Sequence, residues 1–264
     1  MDLNETKQLL RAYGISPKKI QGQNFLVDDA LATREVEAAK LKPSHNVLEI
    51  GPGLGALTEK LLEIGCDVIA VEKDPSFVKV LKDRFPNAGK LELIEGDILK
   101  TDFPDFDVVV SNIPYKISSP LTFKLLRHSF SHGIMMYQEE FAYRLVASPG
   151  GFDYSRLSVM SQYYAKTEIL ESVPQSAFYP QPKVRSAVVK FRPHPPPFKV
   201  NEDRFHRLVR GMFTVKKRTL RNGLRIAGKM EKLEVDISQI SDELLERRVF
   251  ELSLEEIATI SNMS

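Results

Sequence analysis

An apolar run that ends in a glycine-rich turn constrains this 264-residue chain more than any other stretch. The run is Val47–Ile50, and the turn that follows it contains Gly51, Gly53 and Gly55. A helical pattern of leucines comes next. Strand, glycine turn and helix form a unit whose backbone N–H groups and helix N-terminus face a nucleotide-like ligand. Because glycine has no Cβ, ligand and backbone can approach closely there.

The glycine turn alone leaves two interpretations open, a nucleotide-type ligand and a structural tight turn. Its spacing fits a permissive dinucleotide pattern as well as the tighter G-x-G-x-G. Two neighbouring carboxylates favour the ligand. Glu49 lies inside the apolar run, where a charge is costly unless it has a partner. Glu72 ends the next apolar run, about 20 residues after the turn, where an acidic group reaches ribose hydroxyls.

From residue 47 to residue 111 the chain alternates apolar runs, over 47–50, 67–72, 91–95 and 107–111, with helical patterns over 56–64 and 75–84. This alternation predicts a doubly wound α/β sheet, and a further helix is expected over 116–130. Asp97 follows the third strand, so three successive strands carry Glu49, Glu72 and Asp97 near their carboxyl ends. Ligands of open α/β sheets bind along that edge. Further strands over 133–137, 168–173 and 186–192 would give a seven-stranded sheet.

The fourth strand runs into an amide, a proline and an aromatic ring in the sequence Asn112-Ile113-Pro114-Tyr115. Pro114 biases Ile113 towards extended geometry, which leaves backbone carbonyls free to accept hydrogen bonds. An ordinary turn with a locally bonded Asn gives the same pattern. The upstream carboxylates are what favour a functional site here.

Two further segments combine aromatic and basic side chains. Residues 16–26 are polar and basic and end in Phe25 and Leu26, and they can equally be a surface arm packed on the core. Residues 178–185 suit base stacking and phosphate contact, and they can equally be a proline-stiffened hairpin arm. The candidate RNA contacts in the second segment are Lys183 and Arg185.

A proline-rich segment, residues 193–197, predicts a boundary between a domain over residues 1–192 and a helical domain over 193–264. The window from Arg204 to Met230 contains nine lysines and arginines and no acidic residue, although the net charge of the chain is only +2. Such a window favours a phosphate-binding surface over a solvated helix face. The candidate RNA contacts in it are Arg207, Arg210, Lys216, Lys217, Arg218 and Arg221.

Composition argues against several classes of protein. The single cysteine, Cys66, excludes a disulfide within the chain and a cysteine-based zinc site. The five histidines show no ligand spacing, so we expect no metal. The N-terminus is too charged for a signal peptide and no apolar run reaches membrane length, so we expect a cytoplasmic protein that contacts no membrane.

One assembly accounts for all these features: S-adenosylmethionine (SAM) lies along the sheet edge, and a nucleic-acid base faces its methyl group. Glu72 would accept from the ribose hydroxyls and Asp97 from the adenine amino group, while Asn24 and Leu26 would cover the cofactor. A base inside a duplex cannot reach such a pocket, so the target base is flipped out or single-stranded.

The target base is expected between two aromatic rings, Tyr115 and Phe178, with stacking worth about 1–3 kcal/mol per base. Asn112 Oδ1 and the Ile113 carbonyl can accept both hydrogens of an exocyclic amine, which turns the nitrogen lone pair towards the sulfonium methyl. The reaction then requires positioning of the atoms within about 3–3.5 Å rather than a strong base.

Four motifs together resemble the family of small-subunit rRNA adenine dimethyltransferases, over nearly the whole chain: Gln23–Leu26, Glu49–Gly55, Asn112–Tyr115 and Phe178–Ser186. The resemblance implies a class I SAM-methyltransferase fold, Rossmann-like and mostly parallel, with a small all-helical C-terminal domain. It implies N6,N6-dimethylation of two adjacent adenosines near the 3′ end of the rRNA, within a pre-ribosomal 30S particle. We expect the enzyme to be a monomer.

The motifs place the site residues in two groups. The candidate cofactor contacts are Asn24, Leu26, Glu49, Gly51, Gly53, Gly55, Glu72, Asp97, Ile98 and Asn112. The candidate catalytic residues, which would hold the target base, are Asn112, Ile113, Pro114, Tyr115 and Phe178.

Three alternatives stay open at this point. The large-subunit rRNA adenine methylases of macrolide resistance share the glycine loop and the N-x-P-Y turn, but the full F-x-P-x-P-x-V-x-S loop and the proline-rich linker favour the small subunit. A ribosome-assembly or transcription factor that binds RNA without methylating it is disfavoured by the presence of Asn112, Tyr115 and Phe178. Only the glycine loop supports a nicotinamide-dependent oxidoreductase.

Overall fold

The chain, seen in a computed structural model that describes residues 1–17 and 23–263, forms two compact units. The first contains Met1–Ala142 and Thr167–Pro193, and the second contains Tyr143–Lys166 and the chain from His194 onward. The first unit ends at Pro193, one residue from the predicted boundary at 192/193. Residues 143–166, expected in the first domain, cluster with the C-terminal helices. The assignment of two domains at 192/193 stays a prediction.

A seven-stranded sheet forms the centre of the first unit, and a two-stranded sheet accompanies it. The strands are β1 (Phe25–Leu26), β2 (Asn46–Ile50), β3 (Asp67–Glu72), β4 (Leu91–Glu95), β5 (Val108–Asn112), β6 (His132–Gln138), β7 (Ala165–Val173), β8 (Phe178–Tyr179) and β9 (Ser186–Pro193).

The large sheet has the order β4-β3-β2-β5-β6-β9-β7. The pairs β3/β4, β2/β3, β2/β5 and β5/β6 are parallel, and β9 runs antiparallel to β6. Val47, Leu48 and Val108–Val110 are completely buried, as expected for parallel strands covered on both faces. The predicted fold class, a Rossmann-like, mostly parallel sheet with a C-terminal helical region, is confirmed.

Helices flank the sheet and make up most of the second unit. They are α1 (Leu3–Ala12), α2 (Asp29–Ala39), α3 (Ala56–Ile64), α4 (Pro75–Arg84), α5 (Ser118–Leu125), α6 (Glu139–Val146), α7 (Arg156–Tyr164), α8 (Glu202–Phe213), α9 (Leu220–Glu231), α10 (Asp242–Glu246) and α11 (Leu254–Ser261).

Side chains cap two of the helices that begin near the carboxyl edge of the sheet. The Asp28 carboxylate accepts from the Leu31 N–H at 3.0 Å and starts α2, and the Asp74 carboxylate accepts from the Ser76 N–H at 3.0 Å and starts α4. Each cap satisfies a backbone donor that has no partner within its helix. The loops before these helices therefore have defined backbone paths.

Close approach of α8 and α9 forms the core of the second unit. A Cβ added at Gly211 would lie 2.5 Å from Ala227 Cα, so only glycine permits this spacing. Phe205, Leu208 and Leu220 are completely buried beside it. Of the helices among the described residues, none is both long and apolar enough to cross a membrane.

Candidate active site

A cavity of about 540 Å³ lies at the carboxyl edge of β2, β3 and β5 in the first unit. It brings together residues that are far apart in the sequence, as the sheet topology requires. The predicted site residues that line it are Asn24, Leu26, Glu49, Gly51, Gly53, Glu72, Asp97, Ile98, Asn112, Ile113, Pro114, Tyr115 and Phe178.

Gly51 and Gly53 form the floor of the cavity in the left-handed backbone region, with φ of 68° and 57°. A Cβ at Gly51 would lie 3.2 Å from the Pro114 ring, and one at Gly53 would lie 3.6 Å from the Phe25 ring. Glycine therefore serves both the turn geometry and the approach of the neighbouring segments.

Gly55 is the one predicted cofactor residue that does not line the cavity. It precedes α3 with φ of 87°, and a Cβ there would lie 2.9 Å from Leu81 and from Phe85. Gly55 therefore permits packing against α4, and its predicted contact with the cofactor stays a prediction.

Glu72 joins the glycine turn to the loop after β3. Its carboxylate accepts from the Gly53 N–H at 3.2 Å and from the Asp74 N–H at 2.8 Å. Burial raises the pKa of Glu72 above its ordinary value, and these backbone donors partly oppose the rise. Each carboxylate oxygen keeps a further lone pair for a hydroxyl donor from the cavity.

Asp97 lies at the end of the next strand and is held by a neighbour that sequence reasoning did not single out. The Lys73 ammonium donates to it at 2.8 Å, and the Leu99 N–H donates at 3.1 Å. The Lys73 hydrogen bond lowers the pKa of Asp97, so this carboxylate is ionised at neutral pH. A charged acceptor thus faces the far end of the cavity.

Glu49 lies in a buried strand, and its carboxylate has a hydrogen-bond partner there. Its side chain is buried, and the Thr58 hydroxyl of α3 donates to it at 2.6 Å. Burial raises the pKa of Glu49 to about 8. Glu49 thereby ties β2 to α3 directly below the glycine turn.

Asn112 ends β5 with its side chain at the cavity. Its Oδ1 atom is buried and has no hydrogen-bond partner among residues 1–17 and 23–263. A buried acceptor without a donor is costly, so native sites rarely keep one without a reason. The described chain therefore leaves a hydrogen-bonding requirement of Asn112 unmet at this corner.

Two anchors fix the rest of the Asn112–Tyr115 corner. The Ile113 N–H donates to the Met136 carbonyl of β6 at 3.1 Å. The Tyr115 hydroxyl is 2.6 Å from the Ser186 hydroxyl at the start of β9, and burial raises the pKa of Tyr115. Because its hydroxyl is held, the ring has a fixed position at the cavity wall.

The small sheet joins two motifs that are about 150 residues apart in the chain. Leu26 pairs with Phe178 and Phe25 pairs with Tyr179, antiparallel. Phe178 is 5% exposed and lines the same cavity as Leu26. The expected cofactor cover and base-binding loop are therefore one element. The predicted basic segment at Lys18–Gly22 lies outside the described residues.

Sequence reasoning missed residues that position the site rather than line it. Ser186 orients Tyr115, as described above; its place at the end of the Phe178–Ser186 motif was the available signal, although no role was predicted for it. Glu35 of α2 is 1% exposed, and the nearby Asn112 side chain partly opposes the rise that burial gives its pKa. The spacing of Leu31, Glu35 and Ala39 puts Glu35 on the buried face of α2, and that spacing was the available signal.

The two basic residues of the 178–185 loop differ in their surroundings. Lys183 is exposed. Arg185 is also exposed, but its guanidinium donates to the Ser172 hydroxyl at 2.8 Å and lies 3.4 Å from the Glu139 carboxylate. Their predicted role in RNA binding stays a prediction.

In the second unit, four of the predicted RNA-binding residues form hydrogen bonds or ion pairs with other groups of the same unit. Arg207 binds the Asp203 carboxylate at 3.1 Å and the carbonyls of Glu231 and Lys232. Arg210 binds the Glu231 carboxylate with two nitrogens.

The other two of these four residues are Arg221 and Lys216. Arg221 binds the carboxylates of Asp242 at 2.9 Å and Glu246 at 3.3 Å. Lys216 donates to two backbone carbonyls of the loop before α7. Lys217 and Arg218 are exposed, and no ion pair within the described part of the chain involves either. They are the predicted contacts best placed to meet phosphate.

Comparison with protein families gives one model that matches residues 15–264, described as ribosomal RNA adenine dimethylase. Curated relatives include two named "Probable ribosomal RNA small subunit methyltransferase A". The protein from Methanosarcina mazei is 45% identical over 97% of this chain and 96% of its own length. The protein from Methanosarcina acetivorans is 46% identical over 97% of both chains.

Two crystal structures support the same family. A dimethyladenosine transferase from Plasmodium falciparum is 34% identical, with a TM-score of 0.78 over 89% of this chain and 95% of that one. The 23S rRNA methyltransferase ErmE is 28% identical, with a TM-score of 0.65 over 89% of this chain and 100% of that one.

Proposed function

The chain belongs to the ribosomal RNA adenine dimethylase family, and from that membership we propose that it dimethylates adenosine N6 in small-subunit rRNA, using SAM. The names of the curated relatives support the small subunit as substrate. We further propose that the targets are two adjacent adenosines near the 3′ end of the rRNA. The expected substrate is a pre-ribosomal 30S particle, and the expected state of the enzyme is a cytoplasmic monomer.

The residues of the cavity fit SAM. Gly51 and Gly53 leave room for backbone approach, Glu72 has lone pairs for ribose hydroxyls, and Asp97 is a charged acceptor for an adenine amino group. Asn24 and Leu26 also line the cavity. When bound, SAM supplies an electrophilic methyl group on a sulfonium.

The chain's own contribution is to hold the target amine. Asn112 Oδ1 and the Ile113 carbonyl accept the two amine hydrogens, which directs the nitrogen lone pair away from the ring. Tyr115, fixed by Ser186, and Phe178 stack on the base and exclude water from it. Positioning of this kind accelerates a displacement without a general base.

One observation carries the proposal: Asn112, whose buried Oδ1 has no hydrogen-bond partner within the described chain, lines the same cavity as Glu72 and Asp97. A nicotinamide-dependent oxidoreductase has no use for an amine acceptor at this corner. A non-catalytic RNA-binding factor would have no reason to keep an unpaired buried acceptor there.

Methylation of large-subunit rRNA is the second candidate, because the ErmE structure shares the fold over the whole of its length. The test is incubation of the protein with labelled SAM and either unmethylated 30S subunits or isolated 23S rRNA, followed by mass mapping of the methyl groups. We expect two dimethylated adenosines in the small subunit and none in 23S rRNA. Methylation of 23S rRNA alone would overturn the proposal.

A thermal shift assay with SAM and with NAD separates the oxidoreductase alternative. A ligand stabilises only the state it binds, so we expect the melting temperature to rise with SAM and not with NAD. A rise with NAD alone would contradict the assignment of the cavity.

A further inference from the structure

Phe152 is the most exposed of the large hydrophobic side chains in the described chain, at 80%. It lies in the second unit, on the loop between α6 and α7. Single exposed apolar side chains are common on protein surfaces, so exposure alone indicates nothing. The surroundings of Phe152 are what distinguish it.

The loop that carries Phe152 is tied down on both sides of the ring. The Gly150 N–H donates to the Phe250 carbonyl at 2.8 Å, and the Tyr154 N–H donates to the Gly151 carbonyl at 3.1 Å. The Lys216 ammonium donates to the carbonyls of Phe152 and Tyr154, both at 2.8 Å. An apolar ring is thus presented to solvent by a fixed backbone, with little conformational entropy left to lose on binding.

Two cations flank the ring. The ammonium groups of Lys216 and Lys217 lie 5.8 Å and 5.6 Å from its centroid. Lys216 is committed to the loop carbonyls, while Lys217 and the adjacent Arg218 are exposed. A flat apolar face beside free cations matches the two parts of a nucleotide, a base to stack and a phosphate to pair.

We propose that Phe152, with Lys217 and Arg218, forms a stacking site for an unpaired base of the RNA substrate. The inference rests on the proposed function, because it names a contact for the rRNA outside the active-site cavity. Phe152 stacks on the base, and the two cations pair with the adjoining phosphates. Stacking accepts any base, so this site contributes affinity rather than sequence selection.

The test measures the affinity of the full-length protein for naked small-subunit rRNA and for 30S particles at several salt concentrations. We expect Phe152→Ala to weaken binding to both by about five- to thirtyfold without changing the salt slope. Phe152→Tyr should retain affinity. Lys217→Ala should lower the salt slope by about one.

Controls separate this site from general effects. Tyr143→Ala removes another exposed aromatic ring of the second unit, 48% exposed, and should bind RNA normally. Phe152→Leu keeps an apolar side chain, so it should fold normally and still bind weakly. Unchanged affinity of Phe152→Ala overturns the inference, as does a loss confined to the particle, which indicates a protein partner. Failure of the wild type to bind small-subunit rRNA overturns the proposed function as well.

A second, independent observation concerns the amide of Asn112. An amide has a donor end and an acceptor end, and the partner on its far side decides which end faces the cavity. Glu35 of α2 is the candidate for that partner: it is 1% exposed, does not line the cavity, and interacts with Asn112 closely enough for Asn112 to lower its pKa. Oδ1 of Asn112 and Oε2 of Glu35 are both buried without a partner within the described chain.

We propose that Glu35 is a positioning residue that holds the Asn112 amide with Oδ1 towards the target amine. This inference also rests on the proposed function. An ionised Glu35 can only accept, so it fixes the amide by its NH₂ end. A protonated Glu35 can donate to Oδ1, which removes that acceptor from the amine.

Methylation should therefore depend on the ionisation of Glu35. Burial raises the pKa of Glu35 to about 8, Glu171 and Glu49 add to the rise, and Arg34 and the nearby Asn112 side chain oppose it. The expected single-turnover rate of the wild type rises with pH through this range.

The test compares pH profiles of single-turnover methylation for three proteins. Glu35→Gln should lose at least about tenfold in rate at pH 9 and show no rise near pH 8, with SAM affinity unchanged. Glu37→Gln, an exposed neighbour on the same helix, should match the wild type. Glu35→Asp keeps the ionisable group, so it should keep the pH dependence at a lower rate.

Two outcomes overturn this inference. A wild-type rate and profile in Glu35→Gln would show that the amide needs no partner. A uniform loss in Glu35→Gln with the pH dependence intact would show that another group titrates. Absence of methylation by the wild type at every pH would instead overturn the proposed function.

Discussion

The cavity of the first unit was predicted from sequence patterns, and so was the basic surface of the second unit, which comprises the six predicted RNA contacts between Arg204 and Met230. The two regions differ in whether their side chains already have partners within the protein. In the cavity, predicted residues converge, and one acceptor, Asn112 Oδ1, has no partner in the described chain. On the basic surface, four of six predicted cations bind groups of their own unit. Position at a sheet edge therefore predicts which side chains come together better than local charge predicts which cations lack partners within their own unit.

The largest effect should follow removal of the unpartnered acceptor. We expect Asn112→Ala to lower the methylation rate by about 10²- to 10³-fold, because the amine loses an acceptor and its orientation. SAM and rRNA affinities should change little, which can be checked by titration calorimetry and filter binding. Methylation at the wild-type rate would contradict the amine-positioning role of Asn112. The comparison between the cavity and the basic surface would then lose its basis.

The next effect concerns the floor of the cavity. Gly51→Ala and Gly65→Ala both place a Cβ at a positive φ, of 68° and 83°, at a cost of roughly 1–2 kcal/mol each. Only Gly51 has the Pro114 ring nearby, whereas nothing lies within 4 Å of a Cβ at Gly65. We expect a loss of SAM affinity of about tenfold or more in Gly51→Ala alone. Equal affinities in the two variants would argue against the glycine turn as a ligand contact.

Glu49 offers a test of the cost of burying acidic groups at the cavity. Its pKa is raised to about 8 in the folded protein, so the folded state binds more protons than the unfolded state between about pH 4.5 and pH 8. Stability should therefore fall as pH rises through that window. Glu49→Gln stays neutral and keeps an acceptor for Thr58, so its melting temperature should exceed the wild-type value more at pH 9 than at pH 6. A constant difference would mean that Glu49 does not titrate there.

The smallest effects should distinguish the four cations that have partners within the second unit from Lys217 and Arg218, which form no ion pair within the described chain. Arg210→Ala leaves the Glu231 carboxylate without its two-nitrogen partner, so we expect the melting temperature to fall by a few degrees. Arg218→Ala should leave the melting temperature unchanged and lower the salt slope of rRNA binding by about one. If both variants changed only RNA binding, the division of the basic surface would be wrong.

Periodicity predicted most of the fold. The elements expected over 56–64, 67–72, 75–84 and 91–95 have those bounds in the structure, because apolar spacing there matches one buried face. The helix expected over 116–130 is shorter and ends at Leu125. Beyond it, Phe130 and His128 pack against Phe106 in an aromatic cluster, which local spacing cannot reveal.

The site was predictable where residues follow strand ends and unpredictable where contacts are made across the chain. Glu72, Asp97 and Asn112 each end a strand or follow one, so topology brings them together. The packing of Gly55 against α4 was not predictable, because it depends on the position of another helix. The tie between Ser186 and Tyr115 joins residues 71 apart and has no local pattern.

The two-residue pairing of β1 with β8 restricts how the sequence of such an enzyme can evolve. Leu26 and Phe178 lie directly opposite each other in this antiparallel pairing, so a displacement of one strand also displaces the other. An inherited change in the loop proposed to bind the base would therefore disturb the segment proposed to cover the cofactor. We expect these two segments to diversify only together.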